Sequence, residues 1–376
     1  MKIAHMVSTF PPRVGGTGQV CFEEAQRLSI KGHDVTVFTP QYQDSRFDID
    51  CNFKLVYIRP YLKSANSAWM PQLLWKLKGF DVVHLHFPFY GSAHLAWLAS
   101  KLFKQKYVIT YHMDVQVSGW QSYIKSVCDL VWARKILAGA EQVICVDKDH
   151  FNQTEFKIHV KKEKLVEIYN SVDTQVFKPR AVEDCDFDNK IPDRFKYKPK
   201  ILFVGNLLPF KRFDLLLHAL IKIKDEQPIV LVVGGGYDLE KYKKMAKELN
   251  IQDRILFCGF CNDREQLSKY YSLADCLVVS SDSGESFSLV AIEALSCSCP
   301  VVASDIPGVR ERVQDGHTGF IFKSGSVEDL AEKLEKFLSL PDEQKQIMGQ
   351  RGREDAIRKY SWQGHIGKLE DVYKKV

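Results

Sequence analysis

No run of this sequence is apolar for long enough to cross a bilayer. The first residues hold one lysine and then an apolar stretch broken by His5 and Ser8, which is not a signal-peptide layout. Zinc frameworks are missing as well. Ten cysteines are scattered along the chain, and neither Cys258-x-x-Cys261 nor Cys297-x-Cys299 makes a usual ligand set. Buried free thiols in a reducing, cytoplasmic compartment are therefore expected. There is no low-complexity tract and no short-period repeat, and no DxD-like acidic pair stands at a strand end. What is present is 45% hydrophobic and 26% charged residue content, the balance of a soluble globular chain. A length of 376 residues implies two domains. The net charge of +5 is uneven: residues 1–180 carry 23 Lys/Arg against 16 Asp/Glu, and the remainder 29 against 31. Two readings of the basic half stay open, ordinary solvated lysines or attraction to an anionic partner or membrane surface.

The first forty residues set the architecture. KIAHMVS runs into Pro11-Pro12 and the turn Gly15-Gly16-Thr17-Gly18, a helical pattern follows, and Asp34–Pro40 (DVTVFTP) supplies a second strand. That is a βαβ unit. The alternation recurs at DVVHLHF, YVITYHM, QVICV and LVEIY. Residues 178–199, polar and with three prolines, read as a linker or surface crossing. The rhythm then restarts at ILFVGN and continues through IVLVVGGG, RILFCGF, CLVVSS and PVVASD. The expected fold is α/β, with two Rossmann-like doubly wound parallel-sheet domains facing a central cleft. The helical tail from Pro341 carries Trp362 and Tyr373 as apolar anchors.

In such sheets ligands sit beyond the carboxyl ends of the strands. After the first strand, the Gly15-Gly16 turn and the helix start suit a phosphate. The dinucleotide fingerprint is incomplete: Gly16-x-Gly18 is followed by Cys21, and no acidic residue ends DVTVFTP. That argues against a nicotinamide role. His84 and His86 share one strand face, and His112 ends the next strand beside Asp114. No nearby spacing supports a three-histidine metal site. His112 is singled out because an imidazole at a carboxyl end can donate to a substrate oxygen. After ILFVGN, the loop from Asn206 places Lys211 and Arg212 where two cations suit a diphosphate leaving group. Further on, Glu285 is expected just ahead of a helix and Glu293 about two turns inside it, with the N–H groups of Phe287, Ser288 and Leu289 opening that helix toward an anion. A carboxylate on an otherwise apolar helix needs a partner, and a vicinal diol such as a ribose offers two hydrogen bonds.

Together these segments resemble the retaining nucleotide-sugar glycosyltransferases of family 4, with the GT-B fold. The likeness spans the Gly15-Gly16 loop, Tyr111-His112-Met113-Asp114, Asn170-Ser171-Val172-Asp173 with Phe177-Lys178-Pro179, Gly205–Lys211, Glu285-x7-Glu293, Pro307-Gly308, Asp315–Gly319 and Trp362. The resemblance implies that Glu285 contacts the transferred sugar and Glu293 the ribose, that Lys211 binds the diphosphate, and that His112 lies near the reacting centre. It implies that Gly15 and Gly16 touch the donor phosphate, and that no metal or other cofactor is required. Two departures stand out: Asn206 where arginine is usual, and Ser171 where glycine is usual. The implied domains are residues 1–180, with a C-terminal helix of about 356–376 crossing back, and residues 181–355. Expected partners are a nucleotide-sugar donor and a glycan, lipid-linked glycan or small polyol acceptor, with no nucleic acid. Residues 119–138 read either as a helix packed on its sheet or as a surface for peripheral contact with the inner face of a membrane. A sugar-nucleotide epimerase, a sugar phosphorylase and a non-catalytic sugar-nucleotide binder share this architecture and stay open.

Overall fold

The computed structural model describes residues 1–11, 15–42, 50–114, 129–181, 192, 195, 197–224 and 227–376. These residues form two units, Met1–Asn170 with Gln363–Val376, and Ser171–Trp362. In the first, the strands are β1 (Lys2–Met6), β2 (Asp34–Pro40), β3 (Lys54–Ile58), β4 (Leu62–Ser64), β5 (Ser67–Trp69), β6 (Val82–Phe87), β7 (Tyr107–Tyr111), β8 (Gln142–Cys145) and β9 (Leu165–Glu167). Seven of them pair in the order β3-β2-β1-β6-β7-β8-β9, all parallel. β4 and β5 make a separate antiparallel ribbon. The order reverses between β1 and β6, so β1 touches a strand from each wing of the sheet. Helices α1 (Gly16–Ile30), α2 (Leu73–Lys76), α3 (His94–Phe103), α4 (Arg134–Gly139) and α5 (Lys148–Phe151) belong to this unit. The central strands are buried on both faces, which is why they read as nearly unbroken apolar runs. Leu85, Phe87, Ile109 and Tyr111 from the sheet meet Leu95 and Ala99 of α3 and Leu137 of α4 in one core.

The second unit repeats the plan with β10 (Lys200–Val204), β11 (Ile229–Val233), β12 (Ile255–Gly259), β13 (Cys276–Val279), β14 (Val301–Ser304) and β15 (Gly319–Phe322). Their order is β12-β11-β10-β13-β14-β15, again wholly parallel, with the reversal between β10 and β13. Its helices are α6 (Phe213–Lys222), α7 (Leu239–Glu248), α8 (Arg264–Leu273), α9 (Leu289–Ser296), α10 (Val327–Leu338) and α11 (Asp342–Lys359). Local chemistry starts several of them. Asp263 accepts from the N–H groups of Glu265 and Gln266 at the head of α8, and Ser326 accepts from Asp329 N–H at the head of α10. Each such cap stabilises by about 1 kcal/mol. The last helix, α12 (Trp362–Lys374), carries the chain back, and residues from Gln363 onward belong to the first unit.

Four strands lie outside the sequence-based set: the ribbon strands β4 and β5, and two strands of the main sheets. β3 and β15 are both edge strands. β3 is only partly buried, and β15 opens on Gly319 inside a segment, Asp315–Gly319, that reads as a turn. The unit boundaries also differ from residues 180 and 355. Val172 N–H donates to Tyr360 C=O, Ser296 Oγ donates to Phe177 C=O at 2.6 Å, and Lys178 N–H reaches Ser268 Oγ. These bonds attach the segment after Asn170 to the second unit. Cys258 and Cys261 are half-buried rather than buried, while Cys21, Cys145, Cys276, Cys297 and Cys299 are buried free thiols. Among the described residues no helix is long and apolar enough to cross a membrane. Of the amphipathic stretch 119–138, residues 119–128 lie outside the described residues; Ile136 and Leu137 are buried in the core.

Candidate active site

The loops leaving β10 and β13, the two strands at the reversal of the second sheet, are tied to each other. Asp282 N–H donates to Phe210 C=O at 3.0 Å, and Ser280 Oγ donates to Lys211 C=O at 2.8 Å. Ser304 at the end of β14 adds a third tie, donating to Ser281 C=O at 2.6 Å. This scaffold sets Lys211 against Glu285, whose Oε1 accepts from the Lys211 ammonium and from Ser281 Oγ at 3.1 Å. The side chains are 15% and 12% exposed. Both charges have given up most of their water, so each depends on the other.

Arg212 is differently placed. Its guanidinium takes Asp214 bidentately at 2.9–3.2 Å and Asp282 at 2.9 Å, and the two carboxylates hold its pKa well above the usual arginine range. It is committed to protein carboxylates, so Lys211 is the cation turned toward Glu285. Asn206 is exposed on the same loop, and its carbonyl accepts from Leu208 N–H at 2.9 Å. Arg212 adopts φ 49° at the head of α6 and Ser288 adopts φ 57° at the head of α9. Left-handed backbone at non-glycine residues costs about 1–3 kcal/mol each and concentrates at functional sites.

Helix α9 begins two residues later than the sequence implies. Leu289 is its first residue and Ser288 its N-cap, so Phe287 lies outside it, with its ring buried under the Arg312 guanidinium at 4.2 Å and edge-on to Tyr360. The N–H groups of Leu289 and its successors remain those of a helix start. Glu293 is consequently little more than one turn inside the helix. It does not meet Glu285; Tyr271 of α8 donates to its Oε2 at 2.9 Å. Burial pushes the Glu293 carboxyl up to about 7, with the Tyr271 bond and Arg264 pulling the other way.

Gly308 explains the shape of the Glu285 loop. It sits at φ +79°, and a Cβ there would stand 2.4 Å from Glu285 O and 2.6 Å from Ser286 C. Gly308→Ala is expected to destabilise the second unit by about 2–4 kcal/mol, combining backbone strain with overpacking. Urea midpoints of the wild type and variant measure this directly, and an unchanged midpoint contradicts it.

The remaining sequence candidates belong to the first unit. Gly15 and Gly16 open α1, where Gln19 N–H donates to Gly15 C=O at 3.1 Å. Gly18 has a purely structural cause: a Cβ would approach Thr9 O to 2.6 Å. His112 follows β7, and its Nε2 lies 2.9 Å from His86 Nδ1. Burial, then the charge of His365, lowers its pKa to about 3, so it is a neutral imidazole. Ser281, Tyr271 and Arg312 escaped the sequence reading. Ser281 is four residues before Glu285, a spacing that offered a signal; nothing local points from Tyr271 to Glu293, which tertiary packing of α8 on α9 brings together. In chemical terms the second unit offers carboxylates for hydroxyl groups beside a cation and a helix start for an anion.

Comparison with known proteins gives one consistent result. The family description "Glycosyl transferases group 1" matches residues 184–355, and "Glycosyltransferase Family 4" matches residues 14–176. The chain is 30% identical over 318 residues to D-inositol 3-phosphate glycosyltransferase of Mycolicibacterium smegmatis, covering 79% of this chain and 67% of that protein. It is 25% identical over 392 residues to N-acetyl-alpha-D-glucosaminyl L-malate synthase of Bacillus anthracis, covering 100% and 98%. In fold it is similar to sucrose-phosphate synthase from Thermosynechococcus elongatus, with TM-score 0.85, 22% identity, and 100% and 98% coverage. It is likewise similar to Anabaena HepE in complex with UDP, with TM-score 0.81, 17% identity and full coverage of both chains.

Proposed function

The chain belongs to the family 4 glycosyltransferases of the GT-B fold, and from that premise we propose that it moves a sugar from a UDP- or GDP-sugar to an acceptor hydroxyl with retention, forming an α-linkage. The observation that carries this reading is the Lys211–Glu285 pair at the reversal of the second sheet. Glu285 holds hydroxyls of the transferred sugar, and Glu293 accepts from the ribose diol. Lys211 and the N–H groups at the head of α9 take the charge that grows on the departing diphosphate. The acceptor hydroxyl attacks the anomeric carbon from the face that the diphosphate vacates; as the new C–O bond forms, the bond to the diphosphate breaks and a phosphate oxygen takes the hydroxyl proton. No step calls for a metal. His112, Gly15 and Gly16 enter this proposal through the family resemblance, His112 as a donor to a sugar oxygen. Relatives support the donor class: Anabaena HepE was solved with UDP-glucose. The acceptor is a glycan, a lipid-linked glycan or a small polyol.

Glu293 supplies the test. With its pKa near 7 in the free protein, the carboxyl is substantially protonated at neutral pH. Ribose hydroxyls donate to the ionised form, so donor binding should release about half a proton near neutral pH. Calorimetric titration with UDP- and GDP-sugars in buffers of different ionisation enthalpy reads that release, and Glu293→Gln abolishes it and weakens binding at least ~10-fold. An enthalpy that is the same in every buffer, or no binding of either nucleotide sugar, defeats the assignment.

A further inference from the structure

Five histidines and a glutamate meet inside the first unit, where the proposed chemistry uses only His112. β1, β6 and β7 are neighbours, with His5 in register with His84 and His86 in register with Thr110. His5, His84 and His86 are fully buried, Glu24 of α1 is 1% exposed and His112 is 4% exposed. His5 Nδ1 lies 2.9 Å from His86 Nε2, and His86 Nδ1 lies 2.9 Å from His112 Nε2. The His86 and His112 rings stack 5.1 Å apart at 14°. α12 closes the cluster from the other side of the sequence. His365 Nε2 meets Glu24 Oε1 at 2.9 Å, His365 Nδ1 meets Tyr169 C=O at 2.7 Å, and Tyr373 OH meets His84 Nδ1 at 2.7 Å.

Proton bookkeeping narrows what this chain of rings can do. Burial, reinforced by neighbouring histidines, holds His84 and His86 well below the usual imidazole range, and His5 near 3. A neutral His86 has one N–H for two nitrogen–nitrogen contacts, so the hydrogen bonds must run in one direction. Either His5 donates to His86 and His86 to His112, or the sequence reverses. His5 Nε2 is buried and without a hydrogen-bond partner. The reversed order places an N–H there; the forward order leaves only an unfilled acceptor. Orphaned buried N–H groups are the rarer of the two. The Tyr169 carbonyl can only accept, so His365 Nδ1 carries a proton and the His365–Glu24 contact holds a second one. Glu24 Oε2 then faces His5 Nδ1, His84 Nδ1 and His86 Nε2 at 3.9, 3.6 and 3.7 Å.

We propose that the one-way chain His5→His86→His112, anchored by Glu24 and His365, fixes His112 as the tautomer with Nε2 accepting and Nδ1–H presented as a donor. His86, His5, Glu24 and His365 are thus positioning residues, and α12 takes part in arming His112. The same cluster has the composition of a metal site. Its geometry speaks for protons instead. Both nitrogens of His84 are held by hydroxyls at 2.7 Å, and the 2.9 Å contact between His5 and His86 needs an N–H between them.

The functional part rests on the proposed placement of His112 at the sugar; the tautomer does not. Nitrogen-15 NMR of histidine-labelled wild-type protein reads it without turnover. The expected spectrum has His112 protonated at Nδ1 and His5 at Nδ1. His86→Phe is expected to mix the His112 tautomers and to lower turnover of UDP-glucose to UDP ~10- to 100-fold at unchanged KM, with His86→Gln, whose amide N–H can replace the lost donor, recovering part of it. A wild-type His112 protonated at Nε2, or one divalent metal per chain whose removal by chelator moves the His5 and His86 signals, overturns the proposal. His112 at the assigned tautomer with turnover unmoved in a folded His86→Phe variant overturns instead the placement of His112 at the sugar.

Discussion

Glu285→Ala is expected to lower kcat for sugar transfer by ~100- to 1,000-fold, the usual scale for removing one group that acts on the transition state. The two bonds that Glu285 makes within the protein, from Lys211 and from Ser281, both fall on Oε1. In the proposed function, Oε2 is the oxygen left to hold the sugar. Truncation also releases Lys211 from its partner, and a cation only 15% exposed will then bind the diphosphate more tightly in the ground state. Donor affinity should therefore hold or rise while kcat collapses, which is the signature of a group used mainly in the transition state. Glu285→Gln separates charge from shape. It keeps an acceptor for Ser281 but loses the ion pair, so it should melt below the wild type and turn over nearly as slowly as the alanine variant. Thermal melting and donor titration establish that both variants are folded; unimpaired transfer by a folded Glu285→Ala sinks the assignment.

The second large effect is a loss of stability in acid confined to the first unit. His5 and His112 have folded pKa values near 3 against 6.5 for free imidazole. A depressed folded pKa means that the stabilisation is fully present above the unfolded value and is lost as pH falls from about 6.5 toward 3. Near pH 5 each of these two groups has given up about 2 kcal/mol, or ~4 kcal/mol together. His84 and His86 add to the loss in the same direction. That is a large part of the ~5–15 kcal/mol that holds a domain folded. The groups facing the cluster, Cys21 and Glu24 on α1 and His365 and Tyr373 on α12, are packed against it and open with it. Glu293 in the second unit acts with the opposite sign. Its folded pKa is raised from 4.5 to about 7, so its contribution grows as pH falls through that window. Hydrogen exchange resolved by peptide and corrected for intrinsic rate should show β1, β6 and α1 losing protection between about pH 7 and pH 5, while α9 keeps it. Equal behaviour of the two units contradicts this account.

The doubly wound plan was legible because central parallel strands are buried on both faces, so IVLVV and VVHLHF announce themselves by composition. At the sheet edges the mark is weaker: β9 and β12 were read, while β3 and β15 went unread. At the candidate site, motif and position singled out Lys211, Glu285 and Glu293. Their protein partners were not: the fold sets Glu285 against Lys211 and gives Glu293 to Tyr271. The same holds for Arg212, a candidate diphosphate ligand in the sequence and the partner of Asp214 and Asp282 in the structure.

By itself, then, the sequence determined the two-domain α/β class and the family, and singled out the candidate site residues, because burial and strand-end position leave periodic traces along one chain. Only the tertiary structure decided which charges neutralise each other and what surrounds His112. Glu24 and His365 are 341 positions apart, and His84 and Tyr373 are 289 apart. No local pattern records such contacts; they exist only once α12 has packed against the buried face of the first sheet, where an imidazole without a partner costs too much to leave unpaired.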